Sequence, residues 1–274
     1  MHNMIADRGD WCISRQRLWG VPIPIFYNED GSPIMEMEVF NHVAELFGQY
    51  GSNVWFERDA KDLLPEGYTN PKSPNGNFTK EKDIMDVWFD SGSSWNELIA
   101  RGDSYPCDLY FEGSDQYRGW FNSSLIVSTA ANGTAPYKEV LSHGYVVDSK
   151  GEKMSKSVGN VVNPMDIINV NGADVFRLWA MTSDFKEDLK LGPSNIKQVS
   201  DQYRKIRNTF RFLLGNVDPA DFNPKKDMVA YENLEAVDQY ILIKLNEVVE
   251  AVRKDCAEYD FLDASKSLTN FMVN

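Results

Sequence analysis

The chain has 274 residues, 42% hydrophobic and 12% aromatic, enough to bury one large or two smaller cores. Its net charge of −13, from 28 basic and 41 acidic residues, excludes a protein that coats nucleic acid with its whole surface but leaves room for a local basic path. No apolar run approaches the ~20 residues of a membrane span, and the N-terminus lacks the order of a secretory signal. We therefore expect a cytoplasmic protein without a membrane partner.

Cysteine and histidine content argues against disulfides and metal sites. The chain has three of each, none spaced as in a zinc motif: Cys12, Cys107, Cys256, His2, His42 and His143. We expect free thiols in a reducing compartment, and no zinc.

The first 84 residues predict extended backbone and one helix. Pro22 and Pro24 exclude a helix interior in their segment. Apolar residues at helical spacing predict a helix over 38–50, with Gly51 as its terminator. The stretch 64–82, rich in proline and glycine, predicts a surface loop or domain junction.

From residue 85 the pattern changes to short strands, turns and helices. We predict strands over 85–89, 108–111 and 140–148 and helices over 95–101 and 116–131. This alternation indicates βαβ units in a mostly parallel sheet, an α/β fold. Ligands bind at the carboxyl ends of such strands. The polar residues that fall there are Asp90, Glu112, Ser114, Asp115 and Asp148.

The last 80 or so residues predict long helices. Apolar stripes at helical spacing cover 196–213, 234–252 and 261–273, which is typical of an antiparallel bundle. The last stripe runs to the chain end without a cap, and the chain starts abruptly. We expect a piece of a longer protein.

Residues 149–160, Ser-Lys-Gly-Glu-Lys-Met-Ser-Lys-Ser-Val-Gly-Asn, follow a predicted strand. Lys153 and Lys156 provide flexible ammonium charges, and Gly151 and Gly159 let the backbone close over an anion. Nucleotidyl transfer depends on positioning and charge neutralisation, which such a loop supplies. The spacing of a P-loop is absent. A solvated turn is the alternative, since most charged runs are solvated.

The string Lys-Met-Ser-Lys-Ser at 153–157 resembles the second signature of class I aminoacyl-tRNA synthetases. Three more strings resemble the isoleucyl branch of that class: Trp-Cys-Ile-Ser-Arg-Gln-Arg at 11–17, Asp-Val-Trp-Phe-Asp-Ser-Gly-Ser-Ser at 86–94, and Tyr-Phe-Glu-Gly-Ser-Asp-Gln-Tyr-Arg-Gly-Trp-Phe at 110–121. The third is the most specific, because the valyl and leucyl branches differ there. The resemblance covers essentially the whole chain.

This resemblance implies three domains. Residues 1–84 would re-enter the catalytic domain after the editing insertion and include a small connecting insertion. Residues 85–191 would form the second half of the Rossmann-like catalytic domain, with the lysine loop. Residues 192–274 would begin the helical anticodon-stem-binding domain.

The resemblance also implies roles for individual residues. Lys156, with Lys153 and Ser155, would hold the ATP phosphates and the departing pyrophosphate, and Val146 and Val147 would contact adenine through their backbone. The expected aminoacyl-adenylate site comprises Glu112, Gly113, Asp115, Gln116, Trp120 and Trp88, the two tryptophans forming the walls of the side-chain pocket. Carboxylates at a helix N-terminus and core tryptophans are the alternative interpretation.

A basic strip on the first long helix could contact tRNA, or it could be a plain solvated face. It comprises Arg204, Lys205, Arg207 and Arg211.

The implied function is ATP-dependent activation of isoleucine and its transfer to tRNA(Ile), with ATP and Mg²⁺ as substrate. The family's first signature, His-x-Gly-His, is absent, so the N-terminal half of the same enzyme is an expected partner. We expect negligible ATP–pyrophosphate exchange from these 274 residues alone. There are three alternatives: a valine--tRNA ligase piece, a non-catalytic tRNA-binding module, and a carbohydrate-active enzyme with paired carboxylates. The carbohydrate-active alternative leaves the lysine loop without a role.

Overall fold

The computed structural model describes residues 2–217 and 220–273 and divides into two compact units, Met1–Leu141 and Ser142–Asn274. Each unit is described by itself, and the boundary falls within one strand.

The first part of the Met1–Leu141 unit is a small module around its own apolar core. Its elements are α1 (His2–Ala6), β1 (Ser14–Arg15), β2 (Phe26–Tyr27), α2 (Met37–Tyr50), α3 (Val54–Glu57), α4 (Ala60–Leu63), β3 (Thr79–Lys80) and β4 (Ile84–Met85). Strands β1 and β4 pair antiparallel, as do β2 and β3. The core packs Phe26 against Trp55, with ring centroids 4.9 Å apart, and buries Val39 and Val43 of α2. The predicted helix over 38–50 is confirmed, and Gly51 ends it at a φ of 79°.

The second part of this unit contains α5 (Val87–Gly92), α6 (Trp95–Arg101), β5 (Cys107–Gly113), a 3₁₀ turn (Ser114–Arg118), α7 (Trp120–Asn132) and β6 (Tyr137–His143). Strands β5 and β6 are neighbours in a two-stranded sheet. Helices α5 and α7 pack closely because Gly92 has no side chain. A Cβ there would lie 2.9 Å from the carbonyl carbon of Ser123.

The predicted strand over 85–89 is wrong. Only Met85 of that run lies in a strand, and residues from Val87 onward form α5. The cause is Asp86, whose carboxylate accepts the Trp88 backbone N–H at 3.3 Å and so caps a helix. The helix predicted over 116–131 begins later, at Trp120, because the chain first makes the 3₁₀ turn.

The Ser142–Asn274 unit contains β7 (Val146–Val147), α8 (Pro164–Asn171), α9 (Ala173–Met181), β8 (Leu189–Lys190), α10 (Pro193–Gly215), a 3₁₀ turn (Tyr231–Asn233), α11 (Ala236–Ala257) and α12 (Phe261–Val273). Strands β7 and β8 pair in parallel. Trp179, Leu191 and Ile196 lie in the buried core between α9 and α10. The three predicted long helices are confirmed as α10, α11 and α12.

The predicted strand over 140–148 is divided into β6 and β7. Between the two strands, Gly144 donates its N–H to the Phe185 carbonyl at 2.9 Å. A Cβ on Gly144 would lie 2.3 Å from the Glu187 carbonyl oxygen, so the chain turns where another segment crosses it closely.

Helices and strands alternate along the chain as in an α/β fold. The expected mostly parallel sheet is reduced to two-stranded pairs among the residues with described positions, and β7 with β8 is a parallel one. No helix within 2–217 or 220–273 is long and apolar enough to cross a membrane.

Candidate functional site

The lysine loop is organised by Asp148, directly after β7. One oxygen of its carboxylate, Oδ1, accepts the backbone N–H groups of Lys150 and Glu152, both at 2.9 Å. The other, Oδ2, accepts Nδ2 of Asn160 at 3.0 Å. The Asn160 hydrogen bond, followed by the Glu152 backbone bond, lowers the pKa of Asp148 below its ordinary value. The carboxylate therefore stays ionised and keeps these bonds at neutral pH.

Lys153 and Lys156 present their ammonium groups to solvent. Both side chains are exposed, and in the described part of the chain neither forms an ion pair. The Lys153 Nζ lies 5.9 Å from the centroid of the Tyr145 ring. Its backbone forms a β-bridge to Val147, which holds this lysine beside the strand end. Two positive charges are thus available to an anion.

Ser155 uses its polar groups within the loop. Its N–H donates to Asn160 Oδ1 at 2.9 Å, and its Oγ accepts the Val158 N–H at 3.3 Å and lies 3.1 Å from Ser157 Oγ. The hydroxyl of Ser155 therefore supports the turn of the backbone.

Val146 and Val147 form β7, directly before the loop. Val147 is buried, and its carbonyl already accepts the Leu191 N–H at 2.9 Å. Val146 is 42% exposed. The expected adenine contact is therefore more accessible at Val146.

In the Met1–Leu141 unit, the predicted adenylate residues lie in succession at the end of β5. Glu112 is exposed within the strand, Gly113 is buried, and Asp115 is exposed in the 3₁₀ turn. Gln116 caps the next helix, since its Oε1 accepts the first N–H of α7, from Trp120, at 2.8 Å. The first turn of α7 itself has no acidic residue, and Asp115 is the acidic residue in the first turn of the 3₁₀ helix.

Trp120 is fixed on both sides. Its ring stacks on Tyr110 with centroids 4.0 Å apart and an interplanar angle of 8°. Its Nε1 donates to the Ser91 carbonyl at 3.0 Å and to Ser94 Oγ at 3.2 Å. Burial raises the pKa of the Tyr110 phenol to about 12, which keeps this stack neutral.

Trp88 and Gln116 both lie close to Gly119. Its side chain is 42% exposed, and a Cβ on Gly119 would lie 2.9 Å from its ring and 2.5 Å from Gln116 Oε1. Gly119 is therefore in close contact with an indole ring and a carboxamide, and the space beside it has no room for a larger side chain. Trp88, Gly119, Gln116 and Trp120 are neighbours, as the expected pocket requires.

A buried polar cluster is centred on Asp86, a residue without a predicted role of its own. Its Oδ2 accepts both Trp11 Nε1 and Arg15 Nη2 at 2.8 Å. The side chain of Asp86 is 6% exposed and that of Arg15 is 37% exposed. Desolvation and, secondly, the nearby charge of Asp86 raise the pKa of Asp90. Trp11 and Arg15 of the 11–17 string thus hold the segment that starts α5. The sequence feature that could have revealed this cluster is an aspartate, Asp86, next to an apolar run.

The basic strip lies on α10. All four side chains are exposed, and Arg204 pairs with Asp201 at 2.9 Å. At 100° per residue, Arg204, Arg207 and Arg211 share one face, and Lys205 lies to its side. No cluster of three or more His, Cys, Asp or Glu placed to hold a metal ion occurs among residues 2–217 and 220–273.

A model of the family of class I tRNA synthetases for isoleucine, leucine, methionine and valine matches residues 1–192. The chain belongs to this family. Members of this synthetase family similar to it include isoleucine--tRNA ligases of Limosilactobacillus reuteri, 61% identical over 276 aligned positions, and Streptococcus agalactiae, 62% identical over 275. Both alignments cover the whole chain, which spans about 29% of the length of each relative.

Solved synthetase structures agree with the α/β assignment. A ternary complex of Agrobacterium radiobacter K84 LeuRS with tRNA and LeuAMS has a TM-score of 0.70 at 21% identity, covering 96% of this chain and 35% of that one. Mycobacterium tuberculosis methionyl-tRNA synthetase with methionyl-adenylate has a TM-score of 0.53 at 18% identity, covering 91% and 58%. The predicted fold class is confirmed.

Proposed function

We propose that this chain is part of an isoleucine--tRNA ligase, which activates isoleucine with ATP and transfers it to tRNA(Ile). The observation that carries this proposal is identity of 58–62% to isoleucine--tRNA ligases over the entire chain. Family membership disfavours the carbohydrate-active alternative. The domain boundaries after residues 84 and 191, and the cytoplasmic location, are part of this proposal.

In the proposed first step, an isoleucine carboxylate oxygen attacks the α-phosphorus of ATP, and the bond to the bridging oxygen breaks to release pyrophosphate. Negative charge then grows on the leaving β- and γ-phosphates. The Lys153 and Lys156 ammonium groups would neutralise this charge, supported by their exposure and lack of carboxylate partners among the described residues. ATP would enter as its Mg²⁺ complex. In the second step, a terminal ribose hydroxyl of tRNA attacks the activated carbonyl and releases AMP.

Residues after β5 would bind the amino acid and adenylate. Glu112 and Asp115 would accept hydrogen bonds from the substrate ammonium or ribose hydroxyls, which suits their exposure. Trp120 and Trp88 would enclose the branched side chain. The Tyr110 stack and the two Nε1 hydrogen bonds support a fixed wall at Trp120. A preorganised apolar pocket avoids the cost of ordering side chains on binding.

The direct test is isoleucine-dependent ATP–pyrophosphate exchange by full-length enzyme containing this chain. We expect exchange with isoleucine well above that with valine. The 274 residues alone should give negligible exchange, because the His-x-Gly-His signature is absent from them. Valine-selective exchange by the full-length enzyme would favour the valyl alternative and contradict the proposal.

Substituting Gly119 tests the amino acid pocket. Gly119→Ala would push the new methyl into Gln116 Oε1 and the Trp88 ring. We expect the KM for isoleucine to rise about tenfold, a loss of ~1.4 kcal/mol of binding, with the KM for ATP unchanged. Gly48→Ala is the matched control, because a Cβ there meets nothing within 4 Å. An unchanged KM for isoleucine in Gly119→Ala would show that Gly119 and Gln116 do not line the amino acid pocket.

Charge reversal at Arg207 tests the proposed tRNA strip. Each phosphate contact contributes about 0.7–0.9 to the slope of log affinity against log salt concentration. We expect Arg207→Glu to flatten that slope by about this amount in filter binding of tRNA(Ile). Arg253→Glu, on α11 and paired with Glu250 in the native chain, serves as the control. Equal slopes for the Arg207 variant and the native enzyme would identify the strip as a solvated face.

A further inference from the structure

The side chain of Asn160 joins three parts of the lysine loop. Its Nδ2 donates to Asp148 Oδ2 at 3.0 Å and to the Lys153 carbonyl at 3.2 Å. Its Oδ1 accepts the Ser155 N–H at 2.9 Å. One carboxamide therefore connects the residue before the loop with both sides of Met154, the second residue of the Lys-Met-Ser-Lys-Ser string.

Asp148 continues these connections to the front of the loop. Its Oδ1 accepts the Lys150 and Glu152 N–H groups, and its own N–H donates to the Glu152 carbonyl at 2.9 Å. Asp148 and Asn160 together hold the backbone at 150, 152, 153 and 155. The side chains of Lys153 and Lys156 are exposed and, among residues 2–217 and 220–273, take no part in these hydrogen bonds.

We propose that the Asp148–Asn160 pair, here called the clamp, is a positioning device for the phosphate-binding loop. It fixes the loop backbone before ATP binds, so that Lys153 and Lys156 can contact the ATP phosphates without a further step that orders the loop. This inference rests on the proposed function and deepens it. The two clamp residues act through the lysines and not on substrate. Fixing the backbone of a residue costs conformational entropy, so a glycine-flanked loop that is already folded avoids that cost when ATP binds.

The chemistry of the clamp requires one amide and one carboxylate. The carboxamide must donate to Asp148 and Lys153 and accept from Ser155 at the same time, which a carboxylate cannot do. N160D sets two carboxylates against each other, and D148N sets two amide groups together. The double variant D148N/N160D restores a donor at 148 opposite an acceptor at 160 and keeps an oxygen at both positions for the backbone N–H groups, but it leaves the Lys153 carbonyl without its donor.

The experiment compares N160D, D148N and D148N/N160D in the full-length enzyme. Each single variant should lower kcat for ATP–pyrophosphate exchange by about tenfold to a hundredfold, since misplacement by ~1 Å can cost a hundredfold. The double variant should recover about threefold or more over N160D, as coupled sites do, but it should stay below the native rate because the bond to the Lys153 carbonyl is still lost. The KM for isoleucine should stay constant. Asn163→Ala is the matched control, because Asn163 caps α8 through the Met165 N–H, outside the loop.

Single-turnover transfer of isoleucine from preformed isoleucyl-adenylate to tRNA separates positioning from general damage. We expect all three variants to transfer at the native rate, because the phosphates have already left. An equal fall in transfer and exchange, a normal kcat in N160D, or no recovery in the double variant would each overturn the clamp.

Amide hydrogen exchange over 150–160 gives a readout that does not depend on the reaction. Amide hydrogen exchange should be faster in N160D, and in the double variant it should lie between the N160D and native rates. Absence of isoleucine-dependent exchange by the native enzyme would refute the proposed function alone, and the amide exchange rates would still decide whether the clamp exists.

Discussion

Replacing Lys156 with alanine in the full-length enzyme should lower kcat for isoleucine-dependent ATP–pyrophosphate exchange by about a hundredfold to a thousandfold, as for other single groups that stabilise developing charge. The ammonium is exposed and has no carboxylate partner in the ion pairs of the described chain, so its charge is available to the leaving pyrophosphate. Because that charge grows in the transition state, kcat should fall more than the KM for ATP rises.

Alanine substitutions at Lys153 and Lys150 show whether the effect is specific to the two proposed phosphate-binding lysines. Lys153→Ala should also reduce kcat, and the double Lys153→Ala/Lys156→Ala enzyme should be the slowest. Lys150→Ala is the matched control, since Lys150 is exposed in the same loop and its bond to Asp148 uses only the backbone N–H. We expect Lys150→Ala to stay within about twofold of native, as surface substitutions away from a site usually do. Normal adenylate formation by the double variant would refute the role of the loop.

The lysine loop could be found from sequence because its information is local. Three lysines, two glycines and several hydroxyls occur within twelve residues after an apolar run. The role of Asn160 could not be found in this way, because one asparagine in a loop has many possible partners. Its three bonds exist only once the loop folds back on Asp148.

Helix periodicity predicted much of the fold. Helix α6 has the predicted bounds, and α2 begins one residue earlier than predicted, because their apolar residues repeat at the helical interval. Short apolar runs were less informative. Residues 85–89 have strand-like composition, yet Asp86 caps a helix there, and the run at 140–148 breaks where Gly144 meets the Phe185 carbonyl. Both failures come from contacts that periodicity does not encode.

The residues proposed to bind the adenylate were selected by resemblance, and the structure adds contacts that the string does not contain. The string places Gln116, Gly119 and Trp120 close together but does not say that Gln116 caps α7 or that Gly119 lies against the Trp88 ring. The contact between Gly119 and the Trp88 ring needs α5 and α7 to pack, because these two positions are 31 residues apart in the chain.

Asp86 is the buried polar group whose loss should cost the most stability. Asp86→Ala should lower the free energy of unfolding by about 3 kcal/mol, the lower end for breaking a buried pair, because water can reach part of Arg15. The substitution leaves Trp11 Nε1 and Arg15 without their acceptor and removes the N-cap of α5. Urea unfolding of the 274-residue chain, followed by tryptophan fluorescence, measures the change.

Asp108→Ala is the control for Asp86→Ala, because it removes an exposed ion pair instead of a buried one. Asp108 pairs with Lys138 at 2.6 Å, but both side chains are more than half exposed, at 80% and 55%. Water screens such a pair and competes for its hydrogen bonds, so the unfolding midpoint should not change. Because Trp11 and Arg15 lie 75 and 71 positions from Asp86 in the chain, loss of their bonds should release the 11–15 segment. Equal midpoints for the Asp86 and Asp108 variants would mean that the 11–15 segment is held by other contacts.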